Sequence, residues 1–249
     1  RLDGSSVFGE DQRNQTYLKG SGSYIVSSTK FWEGLGVSSW WDVMKVRAAY
    51  GESGNLTGIG AYERLNSYST SSYLGRTSFT SSSQQANGDV KPERQNELEI
   101  GADLFFLKNR LGVTFNYYNK KVSDLLLSRH LPIITGYTSV LDNLGKTSNT
   151  GLEISLNTKN IDQKDFKWET AIVYSSNKNQ LTELYGDGLD DIGNGWFLGH
   201  PISVIYNYVL EGVWQQGEDP SKQDPGAKPG DLKFKDVSGP DGVPDGQIT

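Results

Sequence analysis

The strongest constraint in this sequence is an alternation of apolar and polar side chains, held over segments long enough to cross a membrane as strands. From Gln95 to Phe106, the residues Leu98, Ile100, Ala102, Leu104 and Phe106 share one face, and Glu97, Glu99, Gly101, Asp103 and Phe105 share the other. A two-residue period is that of a β-strand, in which successive side chains point to opposite faces. After a tight connection at 107–110, Leu111, Val113, Phe115 and Tyr117 alternate with Thr114, Asn116, Tyr118 and Lys120, which completes a hairpin. A second hairpin sets Leu152, Ile154 and Leu156 against Glu153, Ser155 and Asn157, turns over 159–165, and returns through Phe166, Trp168, Ile172 and Tyr174. An earlier strand near 43–50 carries Met44, Val46, Ala48 and Tyr50 against Lys45 and Arg47. Further strands are expected over 22–29 and 204–213.

The connections alternate as well. Short ones are expected at 31–41, 107–110 and 159–165, and long ones at 52–92, 122–149 and 177–203. Connections longer than about 12–15 residues are uncommon in compact soluble domains. Short turns at one end and long loops at the other are the plan of a transmembrane β-barrel, whose strands need about 9–11 residues to span. In hydrocarbon every backbone polar group must be paired within the protein, which a closed sheet achieves. The apolar faces carry no charge, and Tyr117, Tyr118, Trp168 and Tyr174 are candidates for an interfacial aromatic belt. About seven strands are too few for such a barrel, so the chain is expected to form part of a larger closed sheet. The same alternation also fits a soluble antiparallel sheet with one wet face.

Composition removes several classes. No run approaches the roughly 18 consecutive apolar residues of a membrane helix. The 249 residues include no cysteine, so no disulfide framework exists. A net charge of -6 with no basic block argues against nucleic acid as a partner. Aromatic residues, at 11%, are too frequent for a disordered chain. Catalysis finds no support. His130 and His200 are the only histidines, and no zinc-protease, nucleophile-elbow or phosphate-loop motif occurs. Gly54, Gly58 and Gly60 follow a strand but lack a βαβ context. Glu97 and Glu99 on one wet face do not by themselves make an acid–base pair. Because it starts at Arg1 and stops in a Gly- and Asp-rich run, the chain is expected to belong to a longer protein.

Several stretches carry a family resemblance. They are Leu2-Asp-Gly-Ser-Ser-Val-Phe-Gly9, Lys45-Val-Arg-Ala-Ala-Tyr-Gly-Glu-Ser-Gly-Asn55, the stretch opening Val90-Lys-Pro-Glu-Arg-Gln-Asn-Glu97, and Phe115-Asn-Tyr-Tyr-Asn-Lys-Lys-Val-Ser-Asp-Leu-Leu126. Asp142-Asn-Leu-Gly145, Asn149-Thr-Gly-Leu-Glu-Ile154, Asp165-Phe-Lys-Trp168, Gly199-His-Pro-Ile202 and Gly230-Asp-Leu-Lys-Phe-Lys-Asp236 follow in order. As an ordered set they resemble the C-terminal part of the barrel of SusC/RagA-type TonB-dependent outer-membrane transporters of Bacteroidetes. The resemblance implies an all-β fold in which residues 1–249 are a portion of a 22-stranded barrel, without the plug domain. It also implies import of a nutrient, usually an oligosaccharide and in some members a peptide, across the bacterial outer membrane. The implied partners are a SusD-like surface lipoprotein, the TonB complex acting through the N-terminal region, and outer-membrane lipid. No covalent chemistry and no cofactor are implied.

Glycan sites combine aromatic platforms with a few convergent polar groups. The loop aromatics Tyr62, Tyr68, Tyr73, Tyr137, Trp196 and Phe197 are the candidates for touching substrate. Each has an alternative role in packing its own loop or meeting the lipoprotein. Glu97, Glu99, Asp103 and Glu153 are candidates for lining the lumen, or for pairing with cations of neighbouring strands. Asp236, Asp241 and Asp245 resemble a calcium loop, although Pro240 interrupts the spacing and no final Glu is present, so a polar turn cluster is the other reading. Besides the importer, two function classes stay open: a soluble or surface-exposed β-sheet module that captures glycans without transport, and a purely structural outer-membrane barrel.

Overall fold

The structure is a computed structural model that describes residues 1–221, 223–237 and 248. Its first strands are β1 Leu2–Gly4, β2 Asn14–Thr16, β3 Lys19–Ile25, β4 Trp41–Asn55, β5 Tyr68–Tyr73, β6 Arg76–Ser81 and β7 Gln84–Gln85. They are followed by β8 Glu93–Phe106, β9 Leu111–His130, β10 Ser139–Asp162, β11 Lys167–Glu183, β12 Leu210–Val213 and β13 Leu232–Phe234. The one α-helix among the described residues, α1 Lys30–Gly34, lies in the β3–β4 connection and is capped by the Thr29 hydroxyl, which accepts from the Trp32 N–H. Two compact units result, Arg1–Ile202 and Ser203–Thr249.

The first unit is an antiparallel meander in the order β11-β10-β9-β8-β4-β3, with β7 added beside β10. Its register aligns the alternating residues into rows that cross the whole sheet. One row reads Tyr24, Val46, Ala102, Phe115, Ile154, Tyr174. The adjacent rows on the same face are Gly22, Ala48, Ile100, Tyr117, Leu152, Ser176 and Met44, Leu104, Val113, Leu156, Ile172. None of these residues is charged. The opposite face carries Ser23, Arg47, Gly101, Asn116, Glu153, Ser175 in one row and Ala49, Glu99, Tyr118, Gly151, Asn177 in the next. Tyr118 is therefore no member of an apolar-side belt. It stands one position from Tyr117, and the strand period sends it to the wet face.

No second sheet covers the apolar rows among the described residues: Ile100 is 48% exposed and Tyr174 56%. The fully buried apolar residues lie elsewhere. Phe8, Tyr17 and Val90 pack in the N-terminal segment and the loop base, and Leu127, Leu181 and Leu184 form a small cluster at the long-loop end. A fully buried Val, Leu, Ile or Phe side chain gains roughly 1.5–3 kcal/mol, so an uncovered apolar sheet face is a demand for an apolar partner.

The expected loop rhythm is corrected at one place. The connection foreseen over 122–149 shrinks to 131–138, because β9 and β10 continue as a paired ladder to His130 and from Ser139. The other connections are 26–40, 107–110 and 163–166 at one end, and 56–92 and the segment after Glu183 at the other. The 107–110 turn sets Leu107, Lys108 and Asn109 at positive φ, and the Asn109 N–H donates to Asp42 at 2.9 Å.

In the second unit, β12 pairs with β13 and Trp214 is buried beneath the Lys233 ammonium, 4.5 Å from its ring centroid. The strand expected over 204–213 is present only as Leu210–Val213.

Candidate functional site

The wet face of the sheet is built around flat-lying side chains. Arg47 in β4 makes two bonds from one nitrogen to Asp103 in β8, at 2.8 and 2.9 Å. Its other terminal nitrogen donates to Asn116 in β9, and the Thr114 hydroxyl donates to Asp103 at 3.3 Å. This network needs Gly101 beneath it, since a Cβ there would sit 2.6 Å from the Arg47 Nε. Glu97 stands opposite Lys120, Glu99 stands opposite Tyr118, and Glu153 is exposed in the Arg47 row. The four carboxylates proposed to line a lumen thus share one face, with Asp103 taken up by an ion pair. A concavity of about 530 Å3 opens on β3, β4 and β8, with Lys19, Ser21, Glu52, Gln95, Glu97 and Glu99 on its wall.

At the long-loop end, separate sequence stretches meet. The Asn143 side-chain amide donates to the Lys91 and Asp124 carbonyls at 2.8 and 2.7 Å, and its oxygen accepts from the Lys91 N–H at 2.9 Å. Asn87 donates to the Leu141 carbonyl at 2.9 Å, and Glu93 accepts from the Leu126 N–H at 3.1 Å. Lys91 pairs with Asp124 at 3.0 Å. The Gly9 N–H donates to the Val90 carbonyl at 2.8 Å, which ties in the N-terminal stretch. The Leu2–Gly9, Val90–Glu97 and Asp142–Gly145 stretches therefore lock the base of the 56–92 loop to the β9–β10 ladder. Composition offers no signal for this lock. Only the unusual density of Asn, Asp and Gly inside strand-forming sequence points to it.

The candidate substrate aromatics do not form one platform. Tyr62, Tyr68 and Tyr73 are exposed, with Tyr68 and Tyr73 on opposite faces of the β5–β6 hairpin. Tyr68 shares its face with Phe79, a 72% exposed aromatic that sequence reasoning passed over. Alternation of Phe79 with Ser78 and Thr80 was the available sign. The Tyr73 face carries a hydroxyl ladder, in which Ser71 meets Ser78 at 2.6 Å and Thr80 at 3.1 Å. Tyr137 is half-buried in the 131–138 loop beside the exposed Ile133 and Ile134. Trp196 packs on the Leu127, Leu181, Leu184 cluster, so it braces its own loop. Phe197 meets His200 edge-on, with ring centroids 6.4 Å apart.

That loop is held by Tyr185, Asp191 and Asn194. The Tyr185 hydroxyl donates to Asp191, which also accepts from the Asn194 backbone and side chain at 3.0 and 2.8 Å. Burial, then the bond to Asp191, pushes the Tyr185 hydroxyl up to about 12. Burial works to raise Asp191, but the bonds from Tyr185 and Asn194 outweigh it and hold its carboxyl below the usual range. Of the calcium candidates, Asp236 is buried at 3% exposure, while Asp241 and Asp245 lie outside the described residues.

An antiparallel sheet with uncharged rows on one face that no described residue covers, a polar opposite face, and its long connections gathered at one end defines a β-sheet related to the walls of outer-membrane receptors. The family described as TonB dependent receptor-like, beta-barrel, matches residues 1–219. The chain belongs to the TonB-dependent receptors, in their SusC/RagA-like group of outer-membrane transporters. It is 33% identical over 257 residues to TonB-dependent receptor P3 of Formosa agariphila, covering 96% of this chain and 25% of that protein. To TonB-dependent receptor SusC of Bacteroides thetaiotaomicron it is 31% identical over 241 residues, covering 88% of this chain and 24% of SusC. The chain thus spans about a quarter of the length of these curated relatives. Among solved structures, the RagAB peptide transporter matches with a TM-score of 0.71 and 25% identity, over 88% of this chain and 24% of that one. RagAB in its open-open state matches in fold with a TM-score of 0.77 at 23% identity, over 98% of this chain and 25% of that one. Membership places the chain among receptors and transporters, not enzymes.

Proposed function

We propose that this chain forms part of the membrane-spanning wall of a barrel that imports an oligosaccharide across the bacterial outer membrane, driven by TonB and assisted by a SusD-like lipoprotein. The observation that carries this reading is the division of the sheet. Three uncharged rows, two across six strands and one across five, demand an apolar solvent, and hydrocarbon supplies it without a second sheet. The opposite face then borders a watery passage lined by Glu97, Glu99, Asp103 and Glu153. The long-loop end faces outward, where Tyr62 and, on one face of the β5–β6 hairpin, Tyr68 and Phe79 offer aromatic surface to sugar rings, while Tyr73 and the Ser/Thr ladder offer a ring and hydroxyl partners on the other face. A soluble glycan-binding module would have to cover Ile100 and Tyr174 from within, and a purely structural barrel gives the exposed loop aromatics no task.

The test is uptake by cells that carry the complete receptor and its lipoprotein, offered labelled oligosaccharides or labelled peptides. Energy-dependent oligosaccharide uptake is expected, with Tyr68→Ala combined with Phe79→Ala lowering it several-fold at low substrate. Peptide uptake alone would replace the substrate class. Uptake of neither in energised cells, with normal surface assembly, would overturn import.

A further inference from the structure

The sheet face that carries the apolar rows changes character above them. Next to the Ile100 row, the following position on each strand reads Tyr50, Leu98, Asn119, Thr150, Lys178, and the one beyond reads Glu52, Asn96, Lys121, Ser148, Gln180. Tyr117 stands in the Ile100 row and Tyr50 in the row above it, so aromatic rings with a polar tip border the band as they do at a membrane surface. Lys178 stands in the Tyr50 row and Lys121 in the next. The carboxylates of this border are already engaged: Glu52 pairs with Arg94 at 2.7 Å, and Glu183 pairs with Lys146 at 2.7 Å. Lys121 and Lys178 are exposed, and neither forms an ion pair with a described residue. They lie on β9 and β11 with β10 between, two residues out of line, so their backbones are about 12 Å apart by strand spacing and rise. The next lysine along β9, Lys120, points to the other face opposite Glu97.

We infer that Lys121 and Lys178 form a cationic collar that binds negatively charged, phosphate-bearing lipid headgroups at the border of the apolar band. The inference rests on the membrane-wall reading proposed above. Charge complementarity selects the occupant. Two uncompensated ammoniums beside Tyr50 and Tyr117 and above hydrocarbon-facing side chains sit at the depth of a headgroup, where a cation reaches phosphate without leaving the sheet. A free phosphate ion would not need the apolar rows beneath.

The complete receptor is reconstituted into vesicles of phosphatidylcholine alone or of phosphatidylcholine containing phosphatidylglycerol. It is then extracted gently, and the lipids retained are counted. The native chain is expected to retain phosphatidylglycerol preferentially. Replacing both lysines (Lys121→Gln with Lys178→Gln) should weaken that preference roughly 10- to 30-fold at low salt, with Lys45→Gln on the wet face as the unaffected control. High salt should erase the difference between native and variant. Equal retention by native and variant overturns the collar, and displacement of phosphatidylglycerol by inorganic phosphate reassigns it to a free ion and overturns the lipid assignment. Failure of the receptor to float with either vesicle would overturn the membrane-wall reading itself, whatever the lysines do.

Discussion

Tyr118 lies across the backbone of the neighbouring strand because its row partner is Gly151, and a Cβ at Gly151 would come within 2.6 Å of three atoms of the tyrosine side chain. The glycine is thus a steric receptor for an aromatic on the wet face, where packing is otherwise sparse. Gly151→Ala is expected to expel the ring and cost about 1–3 kcal/mol, as overpacking does. Thermal unfolding of the complete receptor measures it, and Tyr118→Ala in the same background should recover most of the loss. A second residue-scale expectation concerns pH. Tyr185 is held protonated up to about 12 by burial and by Asp191, so its contribution is whole below the ordinary tyrosine value near 10 and is lost as pH rises from there through about 12. Asp191 has a lowered value, so its contribution is present above the ordinary aspartate value and is lost as pH falls from there through its lowered one. Fluorescence from Trp196, isolated by difference with Trp196→Phe, should therefore change at both extremes. Tyr185→Phe should abolish the alkaline change.

At the scale of elements, β9 and β10 run on past the apolar band as a ladder that carries β7 beside β10, and the Asn143 lock fastens the 56–92 loop to it. Asn143→Ala removes three hydrogen bonds to backbone and should cost about 1–3 kcal/mol of local stability. Hydrogen exchange at residues 87–93 is the measure, with roughly 10- to 100-fold faster exchange expected there and little change in β8 below the band. Asn143→Asp keeps the acceptor for the Lys91 N–H and loses both donors, so it should fall short of the native protection. The same region shows why part of the fold was illegible in the sequence. Below it, Leu98, Ile100, Val113 and Ile154 advertise strands because one face is apolar and the other wet. Above it loops cover the ladder in patches, with Leu127 buried against Leu181 and Leu184 and Asn143 bound to Lys91, so Leu125-Leu-Leu127 and Asp142-Asn-Leu-Gly145 need no alternation, and only the backbone ladder makes them strands. Asp124 at positive φ and the register shifts near Gly145 further disguise the pairing. The candidate site fared similarly. Tyr62 and Tyr68 were legible as exposed loop aromatics, whereas Trp196 was not separable from them, because its burial depends on Leu127 and Leu181 from distant strands.

For the whole molecule, the division of faces decides what surrounds the sheet. Alternation made the hairpins β8–β9 and β10–β11 and the face of each of their side chains readable in advance, whereas the pairing of β4 with β8 and of β9 with β10, and hence the rows, came only with the register. Alternation did not specify which strands meet the open edges of β3 and β11, since edge pairing is a matter of backbone groups and not of side-chain period. The solvent of the apolar face can be tested by placing one charge on each side. Ala102 stands in the middle of an apolar row, between Val46 and Phe115, and Ala49 stands on the wet face beside Glu99. If hydrocarbon borders the apolar face, Ala102→Arg should lower the folding stability of the complete receptor in vesicles by about 2–4 kcal/mol, the cost near a bilayer midplane. Ala49→Arg should cost less than about 1 kcal/mol, because its guanidinium stays in water near carboxylates. Denaturant titration of both variants in vesicles measures the contrast. In a sheet whose two faces both met water, the two substitutions would cost about the same, and the apolar rows would need a protein partner instead of lipid.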